Sequence, residues 1–356
     1  MTTYRIAVIP GDGVGPEVIP AAWEVLTAAA EAHGGFRLDP VYYDWGCGYY
    51  LKTGRMMPED GLDRLRESEA IFLGAVGDPA VPDHVSLWGL LLPIRQNFDL
   101  YVNLRPVRLL RGVRSPLAGR EAGSIDMVCV RENTEGEYCG VGGRVHRGFD
   151  FEVAVQADVF TRKGVERVVR YAFDLARRRN RRLASVTKSN AFQYSMPFWD
   201  EVTAAVGREY PDVEVWRVLV DAAAYYFVLK PEAFDVVVGS NLFMDILTDL
   251  AAAITGGLGL AASANLDPEG RFPGLFEPVH GSAPDIAGKG IANPTGAIWA
   301  GALMLEHLGQ AEAAAAVLEA LEEVLGAGKV RTPDLGGRAS TREFAAEVAR
   351  TLKAKG

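Results

Sequence analysis

The chain is poor in cysteine, with only Cys47, Cys129 and Cys139. Their odd number and the lack of any C-x-x-C spacing exclude a disulfide framework and a zinc ribbon, and fit a reducing compartment. Long apolar runs are missing too. The most apolar stretch, residues 251–264, is short and broken by Gly256, Gly257 and Gly259, which excludes a membrane span. Basic side chains are in deficit, with 37 Lys and Arg against 46 Asp and Glu and a net charge of −9. Such a chain offers no broad cationic face to nucleic acid. An anionic small molecule would need a local group of Arg or Lys. No charged and apolar leader precedes the first strand-like run, so the expectation is a cytoplasmic protein. Repeats, low-complexity linkers and long charge runs are absent as well.

What is present is an ordinary globular composition, 49% hydrophobic and 23% charged over 356 residues, enough for two domains or one large one. Strand-like runs at 5–9, 70–73, 183–187, 213–219 and 236–239 alternate with helical patterns at 17–32, 62–67, 162–179 and 196–210. That alternation predicts an α/β protein. The C-terminal part is helical at 295–308, 311–325 and 341–353. Residues 135–160 break the pattern: Gly140, Gly142, Gly143 and Gly148 sit among short β-type runs, which predicts a hairpin or arm. Such an arm packs on a partner subunit or stays a surface hairpin, and the sequence leaves both open.

Asp245 and Asp249 in SNLFMDILTDLAAA are two carboxylates one helical turn apart, a repulsion of about 0.2–0.5 kcal/mol unless a cation or solvent relieves it. A hard cation such as Mg²⁺ or Mn²⁺ suits that pair, and so does a solvated helix face. Gly11, Gly13 and Gly15 follow the first strand, but the spacing lacks the two residues a dinucleotide fingerprint needs before its third glycine. PGDGVGPEV therefore predicts a turn leading into a helix with Pro16 in its first turn. Arg95, Arg105 and Arg131 lie in apolar surroundings, where guanidinium groups pair with carboxylates of the protein or of a ligand. Lys188 and Asp221 each follow a strand-like run, the place where open α/β sheets put ligand-binding groups. A surface lysine and a helix-capping aspartate would look the same.

Taken together, GDGVGPEV at 11–18, NLRP at 103–106, RENTEGEY at 131–138, VTKSNAF at 186–192, GSNLFMDILTD at 239–249 and FEPVHGSAPDIAGKGIANPTGA at 276–297 resemble the metal- and NAD(P)-dependent β-decarboxylating dehydrogenases of 2-hydroxy acids. The resemblance implies a two-domain fold with a large mixed sheet flanked by helices and a β-arm at a dimer interface. It assigns residues 1–100 and 256–356 to a cofactor domain, and 101–255, with the arm 135–160, to a domain for substrate, metal and dimerisation. It implies that Arg95, Arg105 and Arg131 clamp the substrate's β-carboxylate. Asp245 and Asp249, with Asp221 from a second subunit, would hold Mn²⁺ or Mg²⁺. Lys188, also from the second subunit, would take the hydroxyl proton, and Tyr138 would return one to the enolate carbon. Asn190 would lie near the nicotinamide, and Glu277, His280, Gly281, Ser282, Ala283, Asp285, Ile286 and Asn293 would bind the adenosine half. Asp285 and Ile286 imply NAD, since NADP-dependent relatives carry Lys-Tyr there.

Within the family, the segment DHVSLWGLLLPIR before Arg95 meets the substituent on the substrate carbon that bears the β-carboxylate. Gly89 and Leu91 stand where isocitrate enzymes place Ser and Asn, and Trp88 where isopropylmalate enzymes place an acid. SLWGLL looks like the tartrate/D-malate branch, which implies oxidation and decarboxylation of D-malate to pyruvate and CO₂, tartrate as a related substrate, and a K⁺ requirement. The alternative is 3-isopropylmalate, with Leu91 and Leu92 forming an apolar pocket. A catalytically silent regulatory subunit would keep the fold and lose chemical residues. Here Arg131, Tyr138, Lys188, Asp221, Asp245 and Asp249 are all in place.

Overall fold

A computed structural model describes residues 1–355. Gly356, the last residue of the expected cofactor domain, lies outside the described residues. Two compact units emerge: Met1–Leu100 with Arg108–Ile125 and Ala252–Gly356, and Tyr101–Val107 with Asp126–Ala251. Residues 108–125 thus join the first unit, although the sequence division places them in the second. The cause is packing: Leu109 and Leu110 are buried, Arg108 is ion-paired with Glu322, and the Val113 side chain covers Gly256.

The first unit carries β1 (Thr2–Gly11), β2 (Phe36–Tyr42), β3 (Ala70–Ala75), β11 (Ala262–Leu266) and β12 (Gly274–Pro278), in the order β2-β1-β3-β12-β11. All neighbours run parallel except β11 and β12. β3 is buried throughout, as a strand covered on both faces must be. Helix Gly15–His33 covers one side with Val18, Ile19, Ala22, Val25, Leu26 and Ala29, a helical apolar stripe. A second apolar cluster joins Ile71 and Leu73 to Trp45, Met56, Leu90, Ile94 and Phe98.

The second unit contains β4 (Val102–Arg108), β5 (Asp126–Glu132), β8 (Arg182–Thr187), β9 (Glu214–Leu219) and β10 (Val236–Gly239), in the order β4-β5-β10-β8-β9. β5, β10, β8 and β9 are parallel, so their carboxyl ends share one edge. That edge delivers Arg131, Lys188, Asp221 and the start of helix Asn241–Ile254. The expected hairpin forms from β6 (Gly142–Val145) and β7 (Val153–Gln156), antiparallel and solvent-exposed along both strands. Gly142 is required there, because a Cβ would stand 2.2 Å from the Val155 carbonyl oxygen. Among the described residues, no helix is long and apolar enough to cross a membrane.

Candidate active site

Helix Asn241–Ile254 turns Phe243, Met244, Leu247 and Ala251 into the core, a spacing of three to four residues that leaves Asp245 and Asp249 on the other side. Its first turn is capped from outside: the Glu137 carboxylate accepts from Ser240 Oγ (2.7 Å) and from the Leu242 amide (3.1 Å). An anion at that end also meets the positive pole of the helix. The next residue, Tyr138, donates its phenol proton to Asp245 Oδ2 at 3.0 Å. Two buried guanidiniums stand beneath the carboxylates. Arg131 gives Nε and Nη2 to Asn241 Oδ1 (2.9 and 2.6 Å) and Nη1 to Asp245. Arg105 gives Nε to Asn103 Oδ1 (2.8 Å) and Nη1 to Thr248 Oγ1 (2.6 Å).

Exposure grades the cluster: the side chains of Arg105 and Arg131 are 8% and 2% exposed, those of Asp245 and Asp249 39% and 60%. The arrangement presents two half-open carboxylates over two buried cations. Partial burial pushes the Asp249 carboxyl up, Arg105 opposes this, and neighbouring Asp245 adds to it. Burial also pushes the Tyr138 phenol up to about 12, aided by the Asp245 charge. Tyr138 thus keeps its proton at neutral pH. Among the described residues, no three His, Cys, Asp or Glu side chains converge on a metal position. The Asp245–Asp249 pair offers two hard oxygen donors, a partial set of the kind Mg²⁺ or Mn²⁺ completes with water and ligand oxygens.

Lys188 and Asp221 form a separate pair in this unit. Lys188, just past β8, donates to Asp221 Oδ1 at 2.5 Å, and Asp221 lies in the first turn of helix Val220–Leu229. The ammonium group holds that carboxyl below its usual range. Asn190 is exposed in the turn that follows Lys188.

In the first unit, the carboxyl ends of β1, β3 and β12 again share an edge. β1 ends at Gly11, Asp12 caps the neighbouring loops by accepting from the Cys47 (2.8 Å) and Gly77 (3.0 Å) amides, and Val14 donates its amide to the Ser282 carbonyl at 2.9 Å. A Cβ on Gly13 would fall 1.9 Å from that same oxygen. The glycine-rich turn therefore binds to the 280s loop, a partnership its spacing did not announce. A cavity of about 420 Å³ opens here, walled by Val14, Ala283 and Ile286 and edged by His280, Asn293 and Asp334. Ala283 sits in the left-handed region at φ 42°, a strained conformation of the sort found at ligand sites.

The polar rim of this cavity is oriented. His280 Nδ1 faces the Gly281 carbonyl at 2.9 Å, and since a carbonyl only accepts, Nδ1 carries the proton. Nε2 is left as a buried acceptor without a partner, and burial lowers the pKa of the ring, keeping it neutral. Asn293 donates to Asp334 Oδ2 (2.9 Å) and accepts from the Thr295 amide (3.0 Å). Asp285 is exposed between two residues of the cavity wall.

Glu277 is not at the wall. Its Oε1 accepts from Arg95 Nη2 (2.7 Å) and Asn265 Nδ2 (2.9 Å), so the residues assigned to cofactor and substrate pair with each other. Arg95 Nε remains buried without a hydrogen bond. Just before Arg95, Leu87–Leu91 forms a π-helical turn, closed by the Leu92 amide on the Leu87 carbonyl. Such widened turns cluster at functional sites. Gly89 faces Met56, whose Cγ would lie 2.5 Å from a Cβ, while Leu91 packs partly on the core and Trp88 stays 42% exposed.

The structure thus brings Arg105, Arg131, Tyr138, Asp245 and Asp249 together, pairs Lys188 with Asp221, and lines one cavity with His280, Gly281, Ala283, Ile286 and Asn293. Val14, Asn241, Thr248, Glu137 and Asp334 were missed as site residues; the first four lie inside recognised motifs, which was the available signal.

The profile of a family described as isocitrate/isopropylmalate dehydrogenase matches residues 5–348. A probable tartrate dehydrogenase/decarboxylase of Bacillus subtilis (strain 168) is 51% identical, with 99% of each chain covered. The D-malate dehydrogenase [decarboxylating] of Escherichia coli (strain K12) is 53% identical, again over 99% of both. Among solved structures, isocitrate dehydrogenase from Methylococcus capsulatus superposes with a TM-score of 0.88 at 38% identity, covering 98% of this chain and 99% of that one.

Proposed function

The chain belongs to the isocitrate/isopropylmalate dehydrogenase family, and from that premise we propose that it oxidises D-malate with NAD and releases pyruvate and CO₂, with tartrate as a related substrate. The observation that carries this reading is the neutral cluster of Arg105, Arg131, Asp245 and Asp249. A divalent cation would add two positive charges and a dicarboxylate two negative ones, so the loaded site keeps its charge balance. Asp245 and Asp249 supply the hard oxygens that suit Mn²⁺ or Mg²⁺, and the orphaned His280 Nε2 with its apolar wall suits the adenosine half of NAD. When bound, the cation acidifies the substrate hydroxyl and NAD accepts the hydride.

The chain's own groups do the rest. Arg105 and Arg131 bind the β-carboxylate. A homodimer completes each site with the partner's Asp221 and the partner's Lys188, the latter as proton acceptor for the hydroxyl. The exposed hairpin carrying Val145, Phe149, Phe151 and Val153 supplies apolar surface for that association. Tyr138, still protonated at neutral pH, delivers the proton to the carbon that loses CO₂. Incubation with D-malate, Mn²⁺ and NAD, with and without K⁺, tests this reading. NADH and pyruvate should form in equal amounts, and their absence across pH and salt would reject it.

Two further outcomes are expected. Asp285 offers a ribose hydroxyl an acceptor and repels a 2′-phosphate; each effect is worth about 1–3 kcal/mol, so catalytic efficiency with NADP should fall at least roughly tenfold. Equal efficiencies would remove Asp285 from that role. Tyr138→Phe should slow decarboxylation of added oxaloacetate by ~10²-fold, the lower range for a positioned acid, and spare hydride transfer. Pyruvate formation at the wild-type rate would count against the phenol.

A further inference from the structure

Helix Gly15–His33 opens without a side-chain cap of its own. Val14 precedes its first turn and has no oxygen to offer, and Glu17 stands at the third helical position, from which a glutamate ordinarily reaches back to the amide before the helix. Here both groups turn outward, within the first unit. The Val14 amide donates to the Ser282 carbonyl at 2.9 Å, and Glu17 Oε1 accepts from the Gly288 amide at 2.5 Å, 271 residues along the chain. Glu17 Oε2 is buried without a hydrogen bond, a cost that capping the helix alone does not require. The two bonds bracket residues 283–287, which carry Ala283 and Ile286 into the wall of the cavity of about 420 Å³ and Asp285 beside it. Gly288 lies in the left-handed region at φ 78°, so the chain turns where Glu17 holds it. Just beyond, the Thr341 amide holds the Gly290 carbonyl at 2.9 Å.

We infer that Glu17 is a positioning residue: by holding the Gly288 amide it fixes segment 283–287 of the cavity wall, and with it the place of Asp285, on which the choice of NAD over NADP depends. This rests on reading the cavity as the site of the adenosine half of NAD. Inside the bracket the bonds are local. The Ile286 and Ala287 amides both donate to the Ala283 carbonyl at 3.1 Å, which shapes the segment without tying it to the helix. Without the Glu17 carboxylate the exposed Gly288 amide turns to water, and one end of the bracket is released. Asp285 would then meet a ribose in a range of positions.

The test is NADH binding to the full-length protein, followed by nicotinamide fluorescence, together with hydrogen exchange of residues 283–290 in the absence of cofactor. Glu17→Ala should weaken NADH binding about five- to tenfold, the range for a partly solvated hydrogen bond, and should speed exchange in that segment. NADPH, which gains nothing from Asp285, should lose less, so the preference between the two narrows. Glu17→Gln keeps an oxygen for the Gly288 amide and should restore affinity, preference and protection. The KM for NAD should rise in the alanine variant with kcat at saturating NAD retained, and recover in the glutamine variant. A role confined to the helix, as a charge at its positive pole, predicts otherwise: both substitutions would lower the melting temperature alike and leave the NADH affinity of the folded protein unchanged. Wild-type NADH affinity in folded Glu17→Ala, or equal weakening in Glu17→Gln, overturns the inference. Should Glu17→Ala not fold, Glu17→Leu is read in the same way. A wild-type protein that binds no NADH overturns the reading of the cavity itself, and this inference with it.

Discussion

Excess EDTA is expected to take D-malate-dependent NADH formation to background, and Mn²⁺ or Mg²⁺ to restore it. A Lewis acid on the reacting oxygen contributes several kcal/mol, and about 4 kcal/mol already corresponds to roughly a thousandfold in rate. Asp245→Asn should behave similarly at low Mn²⁺, because it replaces a charged ligand of a hard cation by a neutral one and leaves Arg131 without its carboxylate partner. Saturating Mn²⁺ should recover part of that loss. Full activity in excess chelator would remove the aspartate pair from the chemistry. The shared-site reading adds a sharper expectation. Lys188→Ala and Asp245→Asn proteins should each be inactive, yet a heterodimer assembled from both has one site with neither substitution. Mixing under exchange conditions should therefore restore activity. No recovery, with heterodimers demonstrated by mass, would place Lys188 and Asp245 of one chain in the same site.

How much of this was visible in the sequence depends on the range of the signal. Alternating runs announced β1, β3, β8, β9 and β10, and the glycine-rich interval announced the hairpin β6–β7, because strand period and turn chemistry are local. The path of residues 108–125 back into the first unit was not legible, since it rests on distant packing of Leu109, Leu110 and Arg108. At the site, the spacing alone places Asp245 and Asp249 on one helix face, and it leaves open whether a cation or solvent meets them. The partners of the arginines do not follow from spacing: Asn103 lies two residues from Arg105, but Thr248 and Asn241 lie more than a hundred away. GDGVG misled in an instructive way. It fails the dinucleotide fingerprint, yet its glycine at 13 and the amide of Val14 hold the loop around the 420 Å³ cavity. Arg95 and Glu277, assigned to different ligands, proved to be a buried pair 182 residues apart.

Substrate choice is the other large effect expected. D-malate carries hydrogen, and tartrate a hydroxyl, on the carbon whose carboxylate is lost; isocitrate carries a carboxymethyl group and 3-isopropylmalate a branched alkyl group. If Trp88, 42% exposed within the π-helical turn, closes the subsite for that group, only the small substituents fit. Gly89 cannot be replaced by a hydroxyl-bearing side chain without moving Met56, and Leu91 is apolar, so nothing in LWGLL meets an added carboxylate. Leaving that charge unpaired in a closed site costs several kcal/mol, and isocitrate turnover should fall by roughly a thousandfold or more relative to D-malate. 3-Isopropylmalate separates charge from bulk. Its substituent suits an apolar wall, so the indole alone opposes it, and Trp88→Ala should raise its kcat/KM by about tenfold or more, the scale of a few methylene groups in an apolar pocket. The same substitution should leave isocitrate excluded, since removing an indole supplies no partner for a carboxylate. Should 3-isopropylmalate be the best substrate of the unaltered protein by kcat/KM, Trp88 does not close the subsite, and Leu91 with Leu92 forms an isopropyl pocket.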